Sequence, residues 1–412
     1  MVRDEIISAC RICGSDNLKL ILSLGNMPLA NAFLRPEQLG DPEDRYPLDV
    51  VFCQKCSLVQ ITQTVSPEKL FREYLYFSSF SDTVLRNAKE ISERVISQFG
   101  LGSESLVIEI ASNDGYLLQF YHQRGIPVLG IEPAYNIAKV AQEKGIRTIS
   151  EFFGRSLAHK LLEQGIKADV VHANNVLAHV ADLHSFVEGI YLILKQSGVC
   201  IIEVPYIKDL IDHREFDTIY HEHLCYYSLT SLDKLFRMHG LVVYDVERIP
   251  IHGGSIRIFV AKEGSREVSH SVKNTLIDER DWGVNNFEFY VRFADQVQAL
   301  RYKIRETLFS LKQDGNKIAA YGAAAKGTIL LNYCGIGRET IDFVADRNPK
   351  KQGLYMPGVR IPIYPTSKIL EDMPDYLFIL AWNFADEIID QQRDYQRRGG
   401  KFIIPVPEIR IL

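Results

Sequence analysis

Two short knuckles constrain this 412-residue chain more than any other feature: "CRIC", with Cys10 and Cys13, and "CQKC", with Cys53 and Cys56. Each Cys-x-x-Cys turn aims two thiolates at one point. Two such turns complete a tetrahedral Zn²⁺ site and leave no coordination position open. The pattern therefore predicts a structural metal rather than a catalytic one. The gap of 39 residues between the knuckles exceeds the usual spacing of about 15–20, and an inserted hairpin around "LSLGNMPLANAFL" accounts for it. Closing such a loop costs about 4–5 kcal/mol of chain entropy. A structural zinc contributes on the order of 10–16 kcal/mol, so metal binding wins. The rival is a redox dithiol, which needs only one knuckle and a surrounding βαβ unit that neither stretch has. Cys200, Cys225 and Cys334 are scattered and read as small buried hydrophobes.

The length leaves room for about three domains. Hydrophobic residues make up 46% and charged residues 24%, ordinary for a globular protein. A net charge of −5 argues against a nucleic-acid partner, which calls for a basic face. The start "MVRDEIISACRICG" carries no basic segment followed by an apolar core. No apolar run reaches the roughly 20 residues that span a bilayer; the best candidate, "GIYLILKQSGVCIIEV", is broken by Lys195 and Gln196. The expectation is a cytoplasmic protein with reduced thiols and no membrane partner.

After the knuckles, "SLVIEIASNDGYLLQFY" reads as a strand, a small polar turn and a helix, and "PVLGIEP" as the next strand. Glu132 follows Glu109 by 23 residues, a spacing that suits an acid accepting hydrogen bonds from a ribose diol. The glycines of a dinucleotide fingerprint are missing, since Gly115 stands alone after Ser112, Asn113 and Asp114. An acid at the first strand's end also repels phosphate. A cofactor without phosphate and with a cationic amino-acid end suits Glu109 and Asp114, and S-adenosylmethionine is such a cofactor. The pattern E-x-A-x-N-D-G is similar to motif I of class I methyltransferases. On that resemblance the cofactor contacts are Glu109, Ala111, Asn113, Asp114, Gly115, Glu132, Pro133, Phe152 (or its neighbour Phe153, against the adenine), Asn174 and Asn175. "ADVVHANNVLAHV" is then the fourth strand, and "GVCIIEVPYI" the fifth.

Apolar residues at 290, 293, 297, 300, 304, 308 and 311 form a helical stripe, read as a long connector packed on a neighbouring domain. "NKIAAYGAAAKGTILLNY" gives another strand, small-residue turn and helix, and "IDFVADRNP", "YLFILAWN" and "KFIIPVP" are further buried strands. This is a second α/β sheet. Its turn opens a helix whose N-terminus suits an anion, with Lys326 beside it and Asn383 at another strand end, although the strict P-loop pattern is not met. The expected division is a zinc-binding module over 1–70, a methyltransferase domain over 71–285 and a C-terminal α/β domain over 286–412.

This order of modules resembles the zinc-containing sugar C-methyltransferases, which act on nucleotide-linked 4-keto-6-deoxysugars. The specific marks are "CRIC" and "CQKC", "LGNMPLANAF", "YLYFSSFS", "EIASNDGYLL", "NNVLAHV", "EHLCYYS", "HGGSIRIFV" and "YGAAAKG". The resemblance implies methylation of the carbon beside the keto group, usually C3. It implies His223 as the base, with Tyr220, Tyr76 and His179 as active-site companions; Glu222 is expected to hold the base's tautomer or to accept from a sugar hydroxyl. Substrate contacts are expected at Phe80, Tyr206, Ser255, Lys326 and Asn383, with the third domain holding a nucleotide diphosphate. Thymidine diphosphate is expected as the carrier ahead of guanosine diphosphate, in a monomer or homodimer.

The chemistry follows from the substrate class. Carbon beside a ketone becomes nucleophilic once a base removes its α-proton. Histidine, titrating near 6.5, suits that task, and a tyrosine or a second histidine can donate to the enolate oxygen. His221 is expected to be structural, and Tyr226 and Tyr227 packing or substrate wall. Two rival readings are a methyltransferase of protein or nucleic acid, and a nonenzymatic ligand-sensing scaffold.

Overall fold

The computed structural model describes residues 4–72, 77–251 and 253–412. Tyr76, expected beside the substrate, lies outside them. The chain opens with β1 (Glu5–Ile6), β2 (Leu18–Pro28), β3 (Arg45–Cys53), β4 (Val59–Ile61) and β5 (Gln63–Thr64). Strands β2, β3 and β4 form an antiparallel sheet, and β1 clips onto β5. The expected hairpin is β2 with β3, paired from Leu18 opposite Cys53 to Pro28 opposite Arg45. Both knuckles make the same turn: Gly14 N donates to Cys10 O at 2.9 Å and Ser57 N to Cys53 O at 2.8 Å. Gly14 and Ser57 accordingly sit at positive φ, +66° and +62°. The turns bring Cys10 Sγ within 3.4 Å of Cys56 Sγ and Cys13 Sγ within 3.5 Å of Cys53 Sγ, with all four sulfurs inside 4.8 Å of one another. Tetrahedral bonds of about 2.3 Å place sulfurs roughly 3.8 Å apart, so the cluster fits Zn²⁺. Arg11, buried between the first two ligands, donates to Ile61 O at 2.6 Å and Thr64 Oγ1 at 2.9 Å, fastening the first knuckle to β4 and β5.

Helix α1 (Pro67–Phe71) leads out of this module, and α2 (Asp82–Phe99) follows. Ser81 Oγ accepts from Val84 N at the start of α2, and Gly100, at φ +61°, ends it. Next come β6 (Val107–Ile110), α3 (Leu118–His122), β7 (Val128–Ile131), α4 (Tyr135–Glu143), β8 (Thr148–Ile149), α5 (Arg155–Glu163), β9 (Ala168–Asn174), α6 (Leu183–Ile193) and β10 (Leu194–Pro205). After them run α7 (Ile207–Asp212), β11 (Cys225–Tyr226), α8 (Leu229–Arg237), β12 (Leu241–Ile249) and β13 (Ser255–Lys262). The central sheet has the order β12-β13-β10-β9-β6-β7-β8. Strands β6 to β10 are parallel, and β13 runs antiparallel to both of its neighbours. The order reverses between β6 and β9. Such a switch point opens a crevice at the carboxyl ends of the strands.

Helices α9 (His270–Trp282) and α10 (Phe287–Gln313) connect to β14 (Ile318–Tyr321), α11 (Ala325–Cys334), β15 (Val344–Ala345), β16 (Ile363–Tyr364), α12 (Ser367–Asp372), β17 (Tyr376–Ile379), α13 (Ala385–Gln391), α14 (Arg393–Arg397), β18 (Lys401–Ile404) and β19 (Arg410–Ile411). The expected stripe is the buried face of α10, and Tyr290 of that face stacks on Phe52 of the zinc module at 4.8 Å between ring centres. The third sheet has the order β16-β15-β14-β17-β18-β19, parallel except for β19. It has its own switch point, between β14 and β17.

The modules interlock. Strand β11 adds to the zinc module's sheet, Cys225 pairing with Gln60 and Tyr226 with Val59. Leu34 and Tyr355 exchange backbone hydrogen bonds of 3.0 and 2.9 Å between the first and third modules, and Thr328 Oγ1 donates to Ala30 O at 2.9 Å. One continuous apolar core runs through all three modules, and a second lies between α2 and the far face of the central sheet. Cys200, Cys225 and Cys334 are all buried. Among the described residues no helix is long and apolar enough to cross a membrane.

Elemental analysis should find about one zinc per chain. Cys53→Ser should lower the melting temperature by about 10 °C or more. Full activity after complete zinc removal would contradict a structural role.

Candidate active site

A cavity of about 700 Å³ lies over the carboxyl ends of the central sheet and is walled by all three modules. Its cofactor end is formed by the turns after β6, β7 and β9. Three non-glycine residues there have left-handed backbones: Ala111 at φ +58°, Asn113 at +48° and Asn175 at +52°. Such strain collects at functional sites. Ala111, Asn113, Glu132, Pro133, Phe152, Asn174 and Asn175 all line the cavity. Glu132 Oε2 accepts from Asn113 N at 3.0 Å and Oε1 from Ala134 N at 2.9 Å. Burial pushes its carboxyl up to about 7 against those two donors, which favour the ionised form. Asn174 Oδ1 is buried with no hydrogen-bond partner, an acceptor that a bound ligand would satisfy. Arg72, from the end of α1, lies 4.8 Å from the Phe152 ring and 5.0 Å from Tyr135. Phe153 also lines the wall and packs edge-on against Phe186.

Three of the expected cofactor residues do not line the cavity. Glu109 is fully buried on the α2 side of the sheet, where burial holds its carboxyl well above the usual range. Asp114 turns to Lys144 Nζ, at 3.1 Å, and to the Ser79 hydroxyl. Gly115, at φ +78°, packs so closely that a Cβ would come within 3.1 Å of Ile146. These three shape the turn from beneath.

The end expected to be reactive is built by residues 218–223 and by the 3₁₀ turn Leu177–His179. Tyr220, His223, His179 and Thr218 line the cavity. His223 Nδ1 lies 3.0 Å from Thr218 O, and Nε2 lies 3.0 Å from the Tyr220 hydroxyl. A carbonyl only accepts, so Nδ1 carries the proton and Nε2 keeps its lone pair. His179 packs edge-to-face on His223 at 4.8 Å and on Phe71 of α1 at 5.4 Å. Burial pushes its pKa down to about 4, so it is neutral at pH 7. Glu222 is buried, and its Oε1 accepts from Asn31 Nδ2 of the zinc module at 2.6 Å. His221 Nε2 donates to Pro47 O at 3.2 Å, a structural contact, and the Tyr227 hydroxyl donates to Leu177 O at 3.1 Å.

The third sheet closes the far end with Lys326, Lys351 and Asn383. Lys326, half-buried at the start of α11, lies 4.3 Å from the Trp382 ring. Burial lowers its pKa, and the carboxyls of Asp217 and Glu215 act the other way. The turn before α11 already gives one N–H away, Ala323 N to Asp346 Oδ2 at 2.7 Å. Lys351 donates to Ala323 O at 2.7 Å. Three expected substrate residues lie elsewhere. Tyr206 is buried, its hydroxyl donating to Glu279 Oε1 at 2.9 Å. Ser255 is buried in β13 and donates to Ile251 O. Phe80 is 56% exposed and stacks on Phe77. Sequence reading missed Asn31, Glu68, Phe71, Thr218 and Lys351, all on the cavity wall.

Over 407 residues the chain is 37% identical to the C-methyltransferase NovU of Streptomyces niveus, covering 98% of this chain and 97% of that protein. A zinc-binding-domain model matches residues 10–71, a methyltransferase-domain model 78–246, and a model described as the C-methyltransferase C-terminal domain 250–407. The chain belongs to this C-methyltransferase family. It is an S-adenosylmethionine-dependent enzyme with a zinc-binding domain, and the reading as a nonenzymatic scaffold falls. Among solved structures, a magnesium protoporphyrin IX methyltransferase of Synechocystis PCC 6803 is 13% identical, covering 43% of this chain and 79% of its own, at a TM-score of 0.34. An S-adenosylmethionine-dependent methyltransferase of Clostridium acetobutylicum is 11% identical, covering 44% and 92%, at 0.35. Those two likenesses add nothing to the assignment.

A ribose diol donates to a carboxylate, so the ionised form of Glu132 is the one that would hold it. With the carboxyl titrating at about 7, S-adenosylhomocysteine should bind about tenfold more tightly at pH 8 than at pH 6 by calorimetry. Glu132→Gln should bind more weakly and lose most of that slope. A wild-type affinity flat across the range would remove Glu132 from the ribose.

Proposed function

We propose that this C-methyltransferase methylates the α-carbon, C3, of a nucleotide-linked 4-keto-6-deoxysugar through an enolate, with thymidine diphosphate as carrier, in the cytoplasm. The observation that carries the reading is the pair of contacts made by the His223 ring. Its Nδ1 is tied to Thr218 O, and a basic Nε2 is left beside the Tyr220 hydroxyl on the cavity wall. The four-cysteine site takes no part in the reaction, since its ligand set closes the coordination sphere.

S-adenosylmethionine supplies an electrophilic sulfonium methyl. His223 Nε2 takes the α-proton, the C–H electron pair becomes the enolate, and the carbonyl oxygen gains the negative charge. A neutral histidine is a sound base near pH 7 and contributes on the order of 10²–10⁴-fold. The Tyr220 hydroxyl, released from Nε2 as that nitrogen takes the proton, turns to donate to the enolate oxygen. His179, kept neutral by burial, offers an N–H there without competing for the proton. One such donor is worth about 3 kcal/mol in the transition state. Glu132, Asn174 and Phe152 hold the cofactor, while Asn113 and Asn175 set the turns that present it. Lys326 and Asn383, with Lys351 behind, receive the diphosphate end.

The pure protein should transfer label from S-adenosylmethionine to a thymidine-diphospho-4-keto-6-deoxysugar. Transfer to protein or nucleic acid in place of every sugar offered would sink this reading. His223→Asn should keep S-adenosylhomocysteine binding and lose 10²-fold or more in both methyl transfer and solvent exchange of the α-proton. Unchanged exchange would clear His223 of the base role.

A further inference from the structure

The zinc module contributes more than a scaffold. Its hairpin loop carries Asn31 to the cavity wall, 191 residues from Glu222 along the chain. There Nδ2 donates to Glu222 Oε1 at 2.6 Å. A carboxylate accepts and does not donate, so this contact fixes which way the Asn31 amide faces. Glu222 is 3% exposed, and a buried carboxylate that loses a donor is left under-satisfied. The Glu222 charge is also felt by Lys351 of the third module. The next residue in the chain is His223, whose ring packs edge-to-face on His179 at 4.8 Å. Thus the carboxylate that Asn31 holds belongs to the residue directly before His223.

We propose that Asn31 is a positioning residue for proton abstraction: through Glu222 it fixes the relative placement of His179 and His223, linking the zinc module to the chemistry. This rests on the reading of His223 as the base. Neighbouring contacts favour a functional role over a packing one. The loop around Asn31 is anchored independently, by Thr328 Oγ1 on Ala30 O and by the Leu34–Tyr355 bridge. The segment around Glu222 is anchored independently too, Leu224 N donating to Ala178 O at 2.7 Å and Ile61 N to Leu224 O at 3.0 Å. Neither element needs the Asn31–Glu222 bond to stay in place, so the bond tunes the position of one side chain within a frame already built.

The test compares Asn31→Ala with Asn31→Asp, which is nearly isosteric and sets a second carboxyl against Glu222. Zinc content, melting temperature within about 3 °C, and S-adenosylhomocysteine affinity within twofold should persist in Asn31→Ala. Its α-proton exchange into a thymidine-diphospho-4-keto-6-deoxysugar should fall about tenfold or more, as a loss in the rate at saturation rather than in KM. Asn31→Asp should be as slow or slower, because like charges repel. Packing alone predicts the reverse order, with the isosteric variant near wild type. That order, or an unchanged exchange rate in Asn31→Ala, overturns the proposal. Wild-type protein that exchanges no α-proton would overturn the sugar reading itself, and this inference with it.

Discussion

Cys225 and Tyr226 close the open edge of the zinc module's sheet, and the reactive end of the cavity depends on that pairing. An unpaired edge strand is a liability, and here it is covered by the same stretch of chain that carries the histidines. Within "YHEHLCYYS", Tyr220 and His223 face the cavity, Cys225 and Tyr226 extend the sheet, and Ser228 caps α8 by accepting from Ser231 N. Each ladder bond is worth only about 1 kcal/mol net. Arg11 ties the first knuckle directly to Ile61, next to Gln60 on β4, so a zinc held by the four cysteines would stiffen the edge on which this segment pairs. Metal, edge and active site form one mechanical chain.

The same continuity explains why three modules share one cavity. The enolate of the proposed reaction would be quenched by water, so that reaction needs a dry, closed site. The central sheet provides only a floor. The zinc module supplies Asn31, Pro67, Glu68 and Phe71, and the third sheet supplies Lys326, Lys351, Asn383 and Phe384. Those outer walls are joined to each other as well as to the floor. Glu43 accepts from Arg360 Nε at 3.0 Å and from Gly358 N at 2.6 Å, and Trp382 Nε1 donates to Asp217 Oδ2 at 2.7 Å.

What was legible in the sequence was whatever rests on local pattern. The knuckles, the hairpin between them, the buried face of α10 and the strand-turn-helix units follow from spacing and periodicity alone. The cofactor turn was legible by its order of residues and not by its glycines. Ala111, Asn113 and Asn175 adopt left-handed backbones that a glycine fingerprint would have advertised. Side-chain direction was not legible. Tyr206 and Ser255 sit near the expected strand ends, yet Tyr206 points to Glu279 on α9 and Ser255 to a backbone carbonyl, partners set by tertiary packing. Asn31, Thr218 and Lys351 carry no motif. Thr218 acts through its carbonyl, which no residue identity encodes, and Asn31 meets Glu222 only because the two modules fold together.

Two histidines with ring centres 4.8 Å apart cannot both be cationic in a partly dry site without a large cost. The geometry resolves this by placing them in unequal surroundings. His179 is enclosed and held neutral, its pKa down at about 4. His223 is only half-buried and has the Tyr220 hydroxyl on its basic nitrogen. In the proposed reaction the α-proton goes to His223, and His179 stays a neutral neighbour. Pairs of titratable groups pushed apart by their surroundings mark the acid and base assignments of a site. Burial is the largest influence on His179, and Phe71 of α1 adds to it by packing edge-on against the ring at 5.4 Å.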